Sequence, residues 1–139
     1  MQAIISSFYG AASPELRQKL SGFGLLVMRA GLGIGMWTHG WPKLVNYAER
    51  APKFVDPFGV GPEATLVLAI MAELLGSIAL TVGLFSRLSA CALAFSMAIA
   101  AYYFGHELAY IYMLAYIGLI FTGPGRYSID QMIYKRYVA

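Results

Sequence analysis

The chain has 139 residues, of which 59% are hydrophobic and only 12% are charged, and its formal net charge is +3. Soluble domains carry about 25% charged residues, so this composition favours an integral membrane protein, and the length allows one small domain. The basic residues do not cluster on one face with interleaved aromatic residues, which excludes nucleic-acid binding. We therefore predict a single transmembrane domain over residues 1–139, with the lipid bilayer as its main partner.

Four apolar stretches follow one another along the chain, and they approach the roughly 20 residues that a spanning helix needs. Ser13-Pro14-Glu15 is typical of a helix start, with a capping serine and a proline in the first turn. The first helix is expected to end near Gly40, before Pro42. The sequence thus predicts an all-α fold, an integral membrane four-helix transmembrane bundle, with spans at about residues 22–39, 63–85, 88–105 and 108–122.

Short helical segments at the membrane surface are expected at both ends of the chain. Residues 1–12 precede the first helix and form a candidate interfacial segment. Ser128 and Gln131 have the spacing of a capping box and predict a short helix there. The apolar side chains of that helix can lie on the membrane while Lys135 and Arg136 meet lipid phosphates.

The placement of Lys and Arg predicts the orientation of the chain, because cytoplasmic loops carry an excess of both. Six of these residues fall on the side of the termini and three on the opposite side. We therefore expect both termini in the cytoplasm, with the long loop 41–62 facing outward. The two sets are Arg17, Lys19, Arg87, Arg126, Lys135 and Arg136 against Lys43, Arg50 and Lys53.

Arg29 and Glu73 are charged residues in the middle of the first and second apolar stretches. A charge at membrane depth is costly and usually faces a partner or a cavity. Counting from the outer ends of the two helices puts both side chains about 16 Å deep, which predicts an intramembrane ion pair. Three interpretations stay open. The pair fixes only the register of the helices, or it also faces a polar pocket for an anion, a quinone head group or a proton, or the two side chains do not meet.

A second group of polar residues is expected near the outer surface, where His39, Lys43, His106 and Glu107 lie. Tyr116 is deeper in the fourth span, and its hydroxyl needs a partner there. These five residues are our candidates for a pocket or an outer-face polar cluster. A metal site is disfavoured, because the residues come from different loops and show no helical His-x3-His spacing. No nucleophile–base pair, phosphate loop or dinucleotide fingerprint is present, so catalytic residues stay unknown and enzyme activity stays open.

Four short motifs occur in the order in which the DoxX family has them, and together they resemble that family. They are RAGLGIGMWTHGWPKL at 29–44, ELLG at 73–76, GLFSR at 83–87 and GPGRYSID at 123–130, and the resemblance covers about residues 22–131. The family pattern is met at Arg29, His39, Gly40, Lys43, Glu73, Gly76, Arg87 and Asp130.

The resemblance implies a four-helix protein of the bacterial inner (cytoplasmic) membrane. Members of the family are associated with redox systems, including the quinone-linked membrane part of thiosulfate oxidation. Our first hypothesis is therefore a membrane subunit of an oxidoreductase system that contacts quinone or a redox-protein partner. The chain offers no redox centre of its own, so quinone is the one cofactor expected. The alternative is a non-enzymatic membrane scaffold or a small-solute carrier, and a carrier would need to form an oligomer.

Overall fold

A computed structural model of the chain describes Met1 and residues 13–138, and this part contains helices and no strands. The predicted all-α fold is confirmed. The predicted interfacial segment over residues 1–12 lies, apart from Met1, outside the described residues. The helices are α1 (Pro14–Val45), α2 (Tyr47–Arg50), α3 (Pro62–Val82), α4 (Ser86–Phe104), α5 (Glu107–Thr122) and α6 (Ile129–Tyr137), with a 3₁₀ turn at Ala51–Lys53.

Three of these helices, α1, α3 and α4, are long and apolar enough to cross a membrane. The fourth long helix, α5, is apolar but has only 16 residues. Large apolar side chains point outward from the helices, and Phe23, Leu68 and Phe95 are each more than half exposed. In water such a surface would be a liability, whereas lipid accommodates it. The chain is therefore an all-α membrane protein, and a crossing by α5 stays a prediction.

The four long helices pack on one another in a ring. α1 lies along α3, α3 lies against α4, and α4 lies along α5. The hydroxyl of Tyr116 on α5 donates a hydrogen bond to the Leu32 carbonyl on α1 at 3.1 Å, which closes the ring. Met36, Leu80 and Leu93 fill the centre and are fully buried.

α1 is longer than the sequence suggested, because it runs past Pro42 to Val45. A proline inside a helix removes one backbone hydrogen bond and usually ends or kinks the helix. Here the last turn is held from outside, since Lys43 contacts Glu73 of α3. Asn46 then closes the helix by donating its side-chain amide to the Pro42 carbonyl at 2.9 Å. The predicted end near Gly40 is wrong, because this tertiary contact outweighs the local signal.

The middle of α3, Met71–Leu75, is π-helical. A π-helical turn takes in one extra residue and redirects the side chains around it, and such turns are frequent at functional sites. In this case both Glu73 and the adjacent Leu74 are buried. Gly40 on α1 makes the close approach possible, because a Cβ there would stand 3.2 Å from the Cβ of Glu73. The π-helical segment therefore brings a carboxylate against α1.

The long loop before α3 folds back onto the bundle. The carboxylate of Asp56 accepts hydrogen bonds from Gly61 N at 2.8 Å and from Thr65 Oγ1 at 3.1 Å. The Gly61 hydrogen bond is the main reason that the pKa of Asp56 lies below its ordinary value. Further along the loop, Phe58 stacks on Phe95 of α4 with ring centroids 6.0 Å apart. The loop is thereby positioned as one wall of the cavity described below.

Candidate functional site

Arg29 lies at the end of the bundle where the α3–α4 turn meets the C-terminal segment. Its side chain is 1% exposed. Nη1 donates to the Leu80 carbonyl at 3.3 Å and Nη2 to the Tyr127 carbonyl at 2.5 Å. Asp130 supplies an opposite charge nearby. Gly83 leaves room for the guanidinium, because it has a left-handed φ of 77° and a Cβ there would overlap Nη1. Arg29 is thus fixed by backbone carbonyls from two distant segments.

Asp130 completes this arrangement, which we call the arginine junction (Arg29, Gly83, Tyr127 and Asp130). Its carboxylate accepts hydrogen bonds from Phe85 N at 2.7 Å and Ser86 N at 2.8 Å. Its own backbone N–H donates to the Gly83 carbonyl at 2.9 Å. A carboxylate at the first turn of a helix also complements the helix dipole. The junction therefore joins the GLFSR and GPGRYSID motifs to α1.

Glu73 lies elsewhere, beside the far end of α1. Its side chain is 1% exposed, and Oε1 accepts hydrogen bonds from the Lys43 ammonium and from Ser96 Oγ, the latter at 3.2 Å. Oε2 is buried and has no hydrogen-bond partner among the described residues. The Lys43 side chain is 18% exposed, and its ammonium also faces the Phe54 ring at 5.9 Å from the centroid. Glu73 thus forms an ion pair with Lys43.

The predicted ion pair between Arg29 and Glu73 is wrong. Gly40 stands beside Glu73, whereas Arg29 stands beside Gly83. Glu73 and Gly83 are ten residues apart along α3, which is roughly 15 Å of helix, so Arg29 lies about that far from Glu73 along the bundle. The prediction took Gly40 as the outer end of α1, but the helix continues for more than a turn. The misplaced end accounts for five residues, or about half of this offset, and the remainder reflects how far α1 is shifted along α3.

A cavity of about 900 Å³ lies beside Lys43, between the ends of α1 and α4, the start of α5 and the loop after α2. Four of the predicted polar residues line it: His39, Lys43, His106 and Glu107. Tyr116, the fifth, does not line it, because its hydroxyl is engaged by α1. No three His, Cys, Asp or Glu side chains converge within residues 13–138. Four residues of the expected polar cluster thus form part of a cavity wall, and Arg29 does not line this cavity.

The cavity combines aromatic walls with charges that balance in sign. Phe54, Phe104 and Tyr112 supply the aromatic surface. The volume falls within the range of small-molecule sites, about 300–1,000 Å³. An ammonium has three donors, so Lys43 can bind Glu73 and still donate to an oxygen atom in the cavity. The charges at or directly behind the wall are Lys43, Arg50 and Lys53 against Glu49, Glu73 and Glu107.

Sequence reasoning missed two residues of this site. Ser96 donates to Glu73 from the middle of α4. Tyr112 lines the cavity and packs edge-on against His39 with ring centroids 6.0 Å apart. A hydroxyl inside an apolar span is itself a signal, because such groups hydrogen-bond across helices in lipid. Tyr112 gave no comparable signal, since tyrosines near a helix end are usually explained by the membrane interface.

Comparison with known proteins identifies the family. The DoxX family model matches residues 24–106. Inner membrane protein YqjF of Escherichia coli K12 is 31% identical over 131 residues, which cover 86% of this chain and 99% of that protein. An uncharacterized protein of Haemophilus influenzae is 29% identical over 132 residues, covering 84% of this chain and 87% of its own length. No solved structure matches the chain. The range of the family model spans the positions of Arg29, Lys43 and Glu73, and from the extent of these matches the chain belongs to the DoxX family.

Proposed function

We propose that this protein is a membrane subunit of an oxidoreductase system and that its cavity receives a quinone head group. The observation that carries the proposal is the Lys43–Glu73 ion pair at the edge of a 900 Å³ cavity with aromatic walls. A quinone ring is flat and neutral and ends in carbonyl acceptors. Phe54, Phe104 and Tyr112 offer surfaces for such a ring, and Lys43 offers a donor for a carbonyl oxygen.

The residues of the site have separate roles in this proposal. Lys43 contacts the ligand, and Glu73 holds the ammonium in place from behind. Arg29 is assigned to folding, because Nη1 and Nη2 donate to the Leu80 and Tyr127 carbonyls and the side chain does not line the cavity. The electrons would be carried by the quinone itself and by a redox-protein partner, since the sequence holds no redox centre of its own.

Quinone binding to the purified protein tests the proposal. We expect an organic extract of protein purified in mild detergent to contain quinone, and naphthoquinone to bind saturably in equilibrium dialysis. The double variant Lys43→Met/Glu73→Gln leaves no unpaired charge buried, so it should fold and bind at least tenfold more weakly, about 1.4 kcal/mol. Lys19→Met, an exposed lysine on the same helix, is the matched control and should bind normally. A quinone-free extract without saturable binding would refute the proposal.

A scaffold is the second candidate, and the arginine junction favours it. Two of the four family-like motifs, GLFSR and GPGRYSID, meet there to hold helices together without lining the cavity. A scaffold needs the fold and its surface but no ligand. If the double variant folds, loses quinone and still copurifies with the same partner proteins in the same amounts, the scaffold reading is the better one.

We further propose that the protein lies in the bacterial inner membrane with both termini in the cytoplasm. The Escherichia coli relative is named an inner membrane protein. Six Lys and Arg residues on the side of the termini against three on the other side support the orientation. The cavity beside Lys43 then opens toward the outer face, where a quinone can enter from the lipid near the end of α4 and the start of α5.

A further inference from the structure

We infer that Glu73 makes the cavity selective for a neutral quinone head group over an anionic one. The inference rests on the proposed function and adds the charge state of the ligand. A lone lysine in an apolar wall would attract any anion. Lys43 does not stand alone, because Glu73 already balances its charge while leaving other donors of the ammonium free. The wall therefore offers a hydrogen bond without a net positive charge.

The surroundings of Glu73 hold its carboxylate in place beside the Lys43 ammonium. The carboxylate is buried, Ser96 Oγ donates to the same oxygen as Lys43, and Gly40 allows the π-helical segment to lie against α1. An anion that accepted from a free donor of Lys43 would lie close to the buried Glu73 carboxylate, and an anion that displaced Glu73 would leave that carboxylate buried and unpaired, so both arrangements are unfavourable. A neutral carbonyl needs no such exchange. The geometry thus favours the neutral ligand on both counts.

The other charges around the cavity have less influence. Glu49, Arg50, Lys53 and Glu107 are all exposed. Water and salt screen exposed charges much more than buried ones. The two positive and two negative charges of these side chains also sum to zero. Glu73 and Lys43 are therefore the charges that act most strongly on a bound head group. Removal of the Glu73 charge would leave the positive charge of Lys43 unbalanced at the cavity wall.

Two naphthoquinones of similar shape provide the test. 1,4-Naphthoquinone is neutral, whereas 2-hydroxy-1,4-naphthoquinone is an anion at neutral pH. We expect equilibrium dialysis of the wild-type protein at low salt to show at least tenfold tighter binding of the neutral compound. Glu73→Gln keeps the shape of the side chain and removes its charge, so it should shift this ratio toward the anion by at least tenfold, about 1.4 kcal/mol. Glu63→Gln, an exposed glutamate on the same helix but outside the cavity, is the matched control and should leave the ratio within about twofold.

The outcomes separate this inference from the proposed function. If neither compound binds the wild-type protein, the quinone site itself is refuted. If both bind with equal affinity, or if Glu73→Gln leaves the ratio unchanged, the site stands and the charge selection by Glu73 is overturned. The wild-type ratio needs no variant, so a preference for the anion would overturn the inference even if Glu73→Gln failed to fold.

Discussion

Arg29 suits its position because a guanidinium can reach two backbone carbonyls at once. Its planar fork offers five donors and stays charged in any environment found in proteins. Leu80 and Tyr127 present their carbonyl oxygens to two of its nitrogens. A lysine has its three donors on a single nitrogen, so it could not place a separate nitrogen against each carbonyl. Conversely, the single point charge of Lys43 suits an ion pair that must also face a cavity.

Gly83 is where the arginine junction is most sensitive to substitution. Gly83 and Gly59 both have left-handed φ angles, 77° and 68°, so alanine costs each about 1–2 kcal/mol of backbone strain. A Cβ at Gly83 would also overlap Arg29 Nη1, whereas a Cβ at Gly59 meets open space. We expect Gly83→Ala to lower the free energy of unfolding by about 1–3 kcal/mol more than Gly59→Ala. Thermal unfolding in detergent measures the difference, and equal losses would show that the guanidinium moves aside freely.

At this scale the sequence predicted which charged residues lie inside the membrane-spanning helices, but it did not predict which residues they contact. Arg29 and Glu73 can be recognised from the sequence as candidate site residues, because a charge at membrane depth is costly and therefore rare. Their partners depend on how far one helix slides along the other, and one misplaced helix end shifts every pairing. Ser96 and the backbone carbonyls of Leu80 and Tyr127 carry no sequence pattern that points to Glu73 or Arg29.

Helix starts were easier to predict than helix ends. Ser13 caps α1 with Pro14 in its first turn, and Ser128 caps α6, as their local chemistry suggested, since a serine hydroxyl accepts a hydrogen bond at the N-cap and proline fits the first turn. The end of α1 and the π-helical segment of α3 were not predicted. Both depend on contacts between helices, which a local pattern does not contain.

The crossing of α1 and α3 depends on Gly40. A Cβ there would stand 2.8 Å from Leu74 Cδ2 and 3.2 Å from Glu73 Cβ, so alanine displaces the end of the Leu74 side chain and moves Glu73 by a few tenths of an ångström. We expect Gly40→Ala to weaken naphthoquinone binding about tenfold, since a shift of Glu73 would disturb its ion pair with Lys43. Gly31→Ala on the same helix meets open space and should bind normally. Unchanged binding in Gly40→Ala would mean that the site does not require this close approach.

As a whole, the described part of the molecule buries two charged side chains, Arg29 and Glu73, and holds them at different ends of the helix bundle. The arginine junction holds one end of the bundle, and the ion pair with its cavity occupies the other. Between them lies an apolar core that includes Met36, Leu80 and Leu93. The exterior of the helices is largely apolar, as a bilayer requires. This division was not visible from composition, which reported only that the chain is a membrane protein.

The number of crossings can be measured with single cysteines. In a Cys91→Ser background, Val60→Cys lies in the loop before α3 and Lys135→Cys lies in α6, and both positions are exposed. If α3, α4 and α5 all cross, the two cysteines lie on opposite sides. We expect a membrane-impermeant maleimide to label Val60→Cys in cells with a permeable outer envelope, and Lys135→Cys only after the inner membrane is opened. Labelling of both from one side would show that α5 does not cross.

The distance along the chain between Arg29 and its partners has a consequence for biosynthesis. The Tyr127 carbonyl that accepts from Arg29 is 98 residues further along the chain. At about 5–20 residues per second, a ribosome needs roughly 5–20 s to make that interval. During this time α1 is already synthesised and carries an arginine whose second acceptor, the Tyr127 carbonyl, does not yet exist. The first helix must therefore wait at the insertion machinery, at the lipid surface or beside a temporary partner until the last helix of the bundle arrives.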